Sequence, residues 1–360
     1  MSVENKDIVY KSRRHTITTP TTWPQFSVDE EKCNGCGRCV QTCPLQVIGL
    51  SKDEKAGFNH RYKEWRCIAC QNCYAVCPTG AITIKGDYRV HEGFWKNDHI
   101  YHGTKTMPNP LGNKENVPFS EFEDELTETE RVIYKRRSNR LFKKKPVERE
   151  LITRVLEAGR FAPTSGNTQG MKFTVIDDRK IIDEVNQMCK KALRVVTFVR
   201  TPHAERDKRT PIGDVKVKFN WWQKLVNPLL IYRVKGGLDT RVWRGGANPP
   251  PADPDYDTFL GAPVLIICLV DQRAIGRVGV ELDTGICAQN VVLAAHSLGL
   301  GTCYVGLTEM IPAFYPKIAE KLGVVYPFKI LTSIALGYPE GKIDKAVARE
   351  QLRVKWVDKL

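Results

Sequence analysis

Eight of the twelve cysteines in this 360-residue chain fall in two short runs, and those runs limit its possible folds more than any other feature. The first is Cys33-x2-Cys36-x2-Cys39-x3-Cys43-Pro44 and the second is Cys67-x2-Cys70-x2-Cys73-x3-Cys77-Pro78. Three cysteines in one tight loop can reach three irons of a single cubane. The chain cannot curl back to offer the fourth, which crosses to a neighbouring cluster. The spacing therefore assigns Cys33, Cys36, Cys39 and Cys77 to one [4Fe–4S] cluster, and Cys67, Cys70, Cys73 and Cys43 to another. Gly35 and Gly37 let the first loop close tightly, and the proline after each fourth cysteine ends the ligand turn. A pair of zinc sites fits poorly, because zinc takes four ligands as two CxxC-like pairs. Disulfides fit worse, since the chain is neither small nor led by a secretory segment.

The two runs are one unit written twice, CNGCGRCVQTCP and CIACQNCYAVCP. Residues 26–85 resemble bacterial-type two-cluster ferredoxins throughout. Paired clusters imply an electron wire, and a wire needs an acceptor elsewhere in the chain. Residues 86–125 are rich in Gly, Pro, Asn and charge and read as a linker. His91, His99 and His102 within it lack the spacing of a metal site.

Beyond the linker, Thr127-x-x-Glu130 is a capping box opening a helix over 127–137. It runs into Arg136-Arg137-Ser138-Asn139-Arg140, whose forked donors and hydroxyl suit a phosphate. A second helix over 148–160 buries Leu151, Val155, Leu156 and Gly159. It is followed by Ala162-Pro163-Thr164-Ser165-Gly166-Asn167-Thr168-Gln169, a loop able to hydrogen-bond a polar heterocycle. The apolar run 262–270 reads as a buried strand. Next come a long helix with Ala288-Gln289-Asn290, then Gly299-Leu300-Gly301-Thr302-Cys303-Tyr304-Val305-Gly306, then Ala335-Leu336-Gly337-Tyr338-Pro339, and late in the chain Arg349.

In this order the motifs of 128–194 and 256–356 resemble the FMN-dependent nitroreductase family. The resemblance implies an α+β fold, a mixed sheet flanked by helices, in an intertwined homodimer with FMN at the subunit interface. It implies that Arg136, Ser138, Arg140 and Arg349 hold the phosphate and ribityl chain, with Arg137 as helper. Pro163, Thr164, Ser165 and Asn167 would come from the second subunit against the isoalloxazine, and Val305 and Gly306 would bring backbone groups near its N5. Gly170-Met171 stand where family members commonly carry Pro-Trp, so the rim of the flavin differs. The expected division is an extension (1–25), a ferredoxin-like module (26–88), a linker (89–126) and a reductase domain (127–360) with an insertion at 195–255.

Between Arg194 and Arg244 there are twelve Lys/Arg against four Asp/Glu, a net of +8, interleaved with Trp221, Trp222, Tyr232 and Trp243. Three readings are open for this insertion: a lid using Tyr232, Arg241 and Arg244 on an anionic substrate, an amphipathic element over 219–234 on anionic lipid, or an extra helix with a solvated basic face. The chain's formal +14 falls to about +8 once two clusters and a flavin phosphate are counted. Such charge favours acidic partners or anionic substrates, and no nucleic-acid partner is expected. Ser12-Arg13-Arg14 lacks a following apolar segment, so a cytoplasmic location is expected. The expected activity passes electrons from a ferredoxin-type donor through the clusters and FMN to a nitroaromatic, a quinone or an activated C=C bond. The alternative is an adaptor whose flavin reduces a protein partner.

Overall fold

A computed structural model describes residues 9–11, 16–18, 21–22, 25–44, 46–58, 67, 70–85, 89–90, 105–112, 117–200, 221–222, 256–273, 279–341, 345–350 and 354–357. The cysteine runs lie among β1 (Gln25–Val28), α1 (Arg38–Thr42), β2 (Ile48–Leu50), β3 (Ala56–Phe58), α2 (Asn72–Val76) and β4 (Ile82–Lys85). β1 pairs antiparallel with β4, and β2 with β3. The repeat in the sequence is a repeat in the backbone. Cys43 and Cys77 cap α1 and α2 with φ/ψ of −73/111 and −70/115. Gly35 sits at φ +71, and a Cβ there would meet the Glu54 carbonyl oxygen at 2.6 Å, so only glycine closes this loop. Val47, Ile48, Ala56, Ala81 and Ile82 pack around Cys33, Cys39, Cys73 and Cys77 in a small core of their own.

The larger domain runs α3 (Glu128–Lys135), α4 (Arg149–Arg160), β5 (Met171–Ile176), α5 (Arg179–Arg200), β6 (Val264–Asp271), α6 (Val280–Ser297), β7 (Gly301–Val305), α7 (Ile311–Phe314), α8 (Pro316–Lys321) and β8 (Phe328–Gly337). α3 opens on the capping box: Glu130 N donates to Thr127 Oγ1 at 3.3 Å, and Thr127 N donates to Glu130 Oε2 at 2.9 Å. The four strands pair antiparallel in the order β5-β6-β8-β7. The parallel element is contributed after α3, where Ser138 bridges to Thr302 on β7, and Phe142 then bridges antiparallel to Pro339.

β6 is buried on both faces, which is why its sequence shows no alternation. Its side chains nevertheless divide by parity. Leu265, Ile267 and Leu269 face Ile182, Val185, Cys189 and Ile311 of α5 and α7. Val264, Ile266 and Cys268 face Val155 of α4 and Ala288, Val291 and Ala295 of α6. Each fully buried aliphatic side chain contributes roughly 1.5–3 kcal/mol. The two cores hold the ends of the sheet strands, and so the site loops, in place. Part of the expected linker also packs: Phe119 and Leu126 are buried with Ala346, and Lys105–Thr106 pairs with Arg349–Glu350.

Candidate functional site: two cysteine baskets and an arginine pocket

The structure gathers the eight cysteines into two baskets. Cys33, Cys36, Cys39 and Cys77 line one cavity with Leu50, Ala56 and Ile82. Cys43, Cys67, Cys70 and Cys73 line another with Phe26, Val47 and Ile84. Each basket thus takes its fourth thiol from the other run. Among the described residues no three thiols, imidazoles or carboxylates stand close enough to hold a single ion.

The donors suit clusters in other respects too. Ala56 N donates to Cys33 Sγ at 3.4 Å and Ala81 N to Cys77 Sγ at 3.3 Å, the kind of bond that stabilises charge on cluster sulfur. Burial pushes the Cys39 thiol up to about 11, and Cys36, Cys33 and Cys77 push it the same way. Cys73 is raised by burial and then by Cys70, Cys43 and Cys67. Crowded thiols of this kind surrender their protons to metal. At Cys77 burial also raises the thiol, but hydrogen bonding from the Thr79 hydroxyl and from the backbone of Thr79, Ala81 and Gly80 outweighs it and lowers the group overall.

The second site grows from the end of α3. Arg136 is half-buried, and burial lowers its guanidinium. Among the described residues the charges it feels belong to Tyr304, Arg349 and Cys303, and none of these is a carboxylate. Cys303 on β7 in turn feels both Arg140 and Arg136, and the exposed Arg349 is within electrostatic reach of Arg136. Arg140 Nη1 is buried with no hydrogen-bond partner among the described residues. Guanidiniums gathered in this way need an anion. Ser138 and Asn139 are fixed beside them by the Thr302 bridge and by Asn139 N donating to Thr302 O at 2.7 Å. A Cβ on Gly301 would lie 2.1 Å from Asn139 Nδ2, so the approach of this segment to β7 requires glycine.

Arg137 is used differently. It donates from Nε to Lys345 O at 2.7 Å, from Nη1 to Arg136 O at 2.5 Å and from Nη2 to Tyr134 O at 2.6 Å. Its fork clamps backbone carbonyls.

The loop of Pro163, Thr164, Ser165 and Asn167 leads into β5, at the opposite edge of the sheet from β7. Gly166, Asn167 and Gln169 adopt φ of 57, 54 and 48, and Ser165 N donates to Asp283 Oδ2 at 3.0 Å. From the sequence Asp283 reads as a partner of the helix dipole. Its role as a clasp on this loop depends on a residue 118 positions away, so no local signal could show it. Pro163, Ser165 and Asn167 are exposed. Val305 ends β7, where its carbonyl accepts from Ser333 Oγ at 2.5 Å, and Gly306 lies exposed just beyond.

Tyr232, Arg241 and Arg244 lie outside the described residues. The roots of their insertion do not. Lys190 Nζ on α5 donates to Tyr256 O at 3.0 Å, Thr258 N donates to Asn186 Oδ1 at 3.0 Å, and Arg179 bridges Asp183 and Asp257, each at 2.6 Å. Burial raises Tyr256 to about 12, and among its charged neighbours are Arg140, Cys303 and Cys43.

The nitroreductase family model matches residues 133–338, more than half of the chain. The chain belongs to the nitroreductase family. A 4Fe-4S dicluster domain matches residues 25–81, which span both cysteine baskets. The nitroreductase domain is 27% identical over 215 residues to a 4-nitrobenzoate reductase of Pseudomonas putida, covering 58% of this chain and 84% of that protein. Among solved structures it is similar to a nitroreductase with bound FMN from Bacteroides fragilis, with a TM-score of 0.44 and 18% identity, covering 65% of this chain and all of that one (100%). It is also similar to a nitroreductase with bound FMN from Desulfitobacterium hafniense, with a TM-score of 0.44, 21% identity and the same coverage, 65% and 100%. The resemblances read from the motifs therefore hold for both parts of the nitroreductase chain. No described helix is long and apolar enough to cross a membrane.

Proposed function

We propose that this chain is an iron–sulfur flavoprotein oxidoreductase. It draws electrons from a ferredoxin-type donor and delivers them in pairs to a small organic acceptor, with two [4Fe–4S] clusters and FMN as its carriers. The observation that carries this reading is the buried, partnerless Arg140 Nη1 beside Arg136, in a chain that also holds two four-cysteine baskets. Bound FMN supplies the exchange between one-electron supply and two-electron reduction. Arg136, Arg140 and Arg349 take its phosphate, and Ser138 adds a short donor. Val305 and Gly306 present backbone groups to the ring, Val305 fixed in advance by its pairing with Ser333 on β8 and Gly306 following directly.

Two observations support a homodimer that completes the site. The arginine pocket and the loop of Pro163, Thr164, Ser165 and Asn167 lie at opposite edges of one sheet. They are about 14 Å apart if strands are about 4.8 Å apart, so a second copy must bring its own loop to the ring. α6 also carries apolar side chains on all sides, with Leu282 66% exposed, as expected of a helix with a partner still to come.

The acceptor is a nitroaromatic, a quinone or an activated C=C bond, and the likeness to a 4-nitrobenzoate reductase favours an aromatic acid. A lid role for the insertion is the reading its described flanks support, since Lys190 and Asn186 hold the backbone of Tyr256 and Thr258, and Arg140 is among the charges that Tyr256 feels. Anaerobic purification with iron, sulfide and flavin analysis tests the reading. It should return about eight iron and eight sulfide per chain, with one FMN. Zinc in place of iron, or protein without flavin, would reject it.

A further inference from the structure

One residue joins the Cys77 basket to the arginine pocket. Lys345 Nζ donates to the Cys77 carbonyl at 3.2 Å and stands 5.9 Å from the centre of the Tyr74 ring. Tyr74 follows Cys73 in α2, so the ammonium stands by Cys77 of one basket and by the chain neighbour of Cys73 of the other. The carbonyl of the same residue accepts from Arg137 Nε at 2.7 Å, and Arg137 also holds the carbonyls of Arg136 and Tyr134. Ala346 and Val347 are buried directly after it, and the exposed Arg349 that follows is among the charges Arg136 feels. Residues 345–349 thus form a strap with one end on a cluster loop and the other among the phosphate arginines.

We propose that Lys345 is a positioning residue that docks the Cys77 loop against the arginine pocket, its charge stabilising the electron held by the adjacent cluster. The proposal deepens the electron-transfer reading and rests on it. Lys345 is exposed, and its partner at Cys77 is a neutral carbonyl rather than a carboxylate, so that contact brings no counter-charge to the basket. A cluster that accepts one electron gains one negative charge, which a nearby cation favours. The electron comes from the external donor and leaves toward the flavin side, and Lys345 gains and loses nothing in the step.

The test uses the full-length holoenzyme prepared anaerobically, with Lys345→Met, Lys345→Gln and Lys345→Arg. Both clusters are followed by potentiometric titration monitored by electron paramagnetic resonance, and flavin reduction by reduced ferredoxin is followed by stopped flow. Lys345→Met should shift at least one cluster to lower potential and slow flavin reduction, with iron and flavin content unchanged. Lys345→Gln keeps a donor for the carbonyl but not the charge. It should show the same potential shift even if the Met variant folds poorly, while Lys345→Arg should stay near the wild type. Unmoved potentials in the Gln variant, or an Arg variant shifted as far as Gln, would overturn the proposal. Wild-type protein lacking iron or flavin would instead defeat the functional reading beneath it.

Discussion

Arg140 and Arg137 stand three residues apart in one basic run, yet the structure uses them in opposite ways. Arg137 spends its fork on carbonyls at 134, 136 and 345, whereas Arg140 keeps a buried Nη1 unpaired. No spacing rule separates them, because the partner that engages Arg137 lies 208 residues away. The cysteines were legible for the opposite reason, since the reach of a short loop decides which thiols can share a cubane. Arg140→Ala should weaken FMN binding by about 10–100-fold, the loss expected of one charged hydrogen bond worth about 1.5–3 kcal/mol. Fluorescence titration of the flavin-free protein reads this directly. Cys43→Ala should cost the cluster held by Cys67, Cys70 and Cys73 and lower iron from about eight to about four per chain. Loss of the cluster held by Cys33, Cys36 and Cys39 instead would refute the exchange of ligands between runs.

Among the elements, those with local signals were the readable ones. The Thr127–Glu130 box announced α3, and the helix expected over 148–160 is Arg149–Arg160. β6 begins at Val264, just after Pro263, close to the apolar run that marked it. The seating of 138–142 on the edge of β7 was not readable, because it depends on Gly301 having no side chain and on a bridge across more than 150 residues. Gly301→Ala should therefore cost about 1–3 kcal/mol, the range for overpacking a filled site. It should also lower the flavin retained through purification. Thermal melts and absorbance ratios check both, and an unchanged melting temperature with full flavin would show that Asn139 can move aside freely.

At the scale of the whole molecule, the cysteine baskets and the arginine pocket share one chain, but what lies between them was written nowhere in the motifs. Residues 345–349, through the Lys345 bond to the Cys77 carbonyl, and Tyr256, which feels both Cys43 and Arg140, bring the two parts together. The proposed lid role of the insertion belongs to this scale as well. Replacing Arg241 and Arg244 together by Ala should raise KM for an anionic acceptor about several-fold, the scale of two solvent-screened charge contacts, while iron and flavin contents stay constant. Unchanged kinetics would return the insertion to a solvated helix or a surface element.

The central claim is that electrons reach the flavin through the cysteine baskets. Anaerobic stopped flow compares the wild type with a flavin-loaded variant carrying Cys33→Ala, Cys36→Ala, Cys67→Ala and Cys70→Ala. Reduced ferredoxin should reduce the flavin of the wild type and fail to reduce that of the variant. A variant flavin reduced as fast as the wild type's, by ferredoxin or by NADPH, would contradict the account.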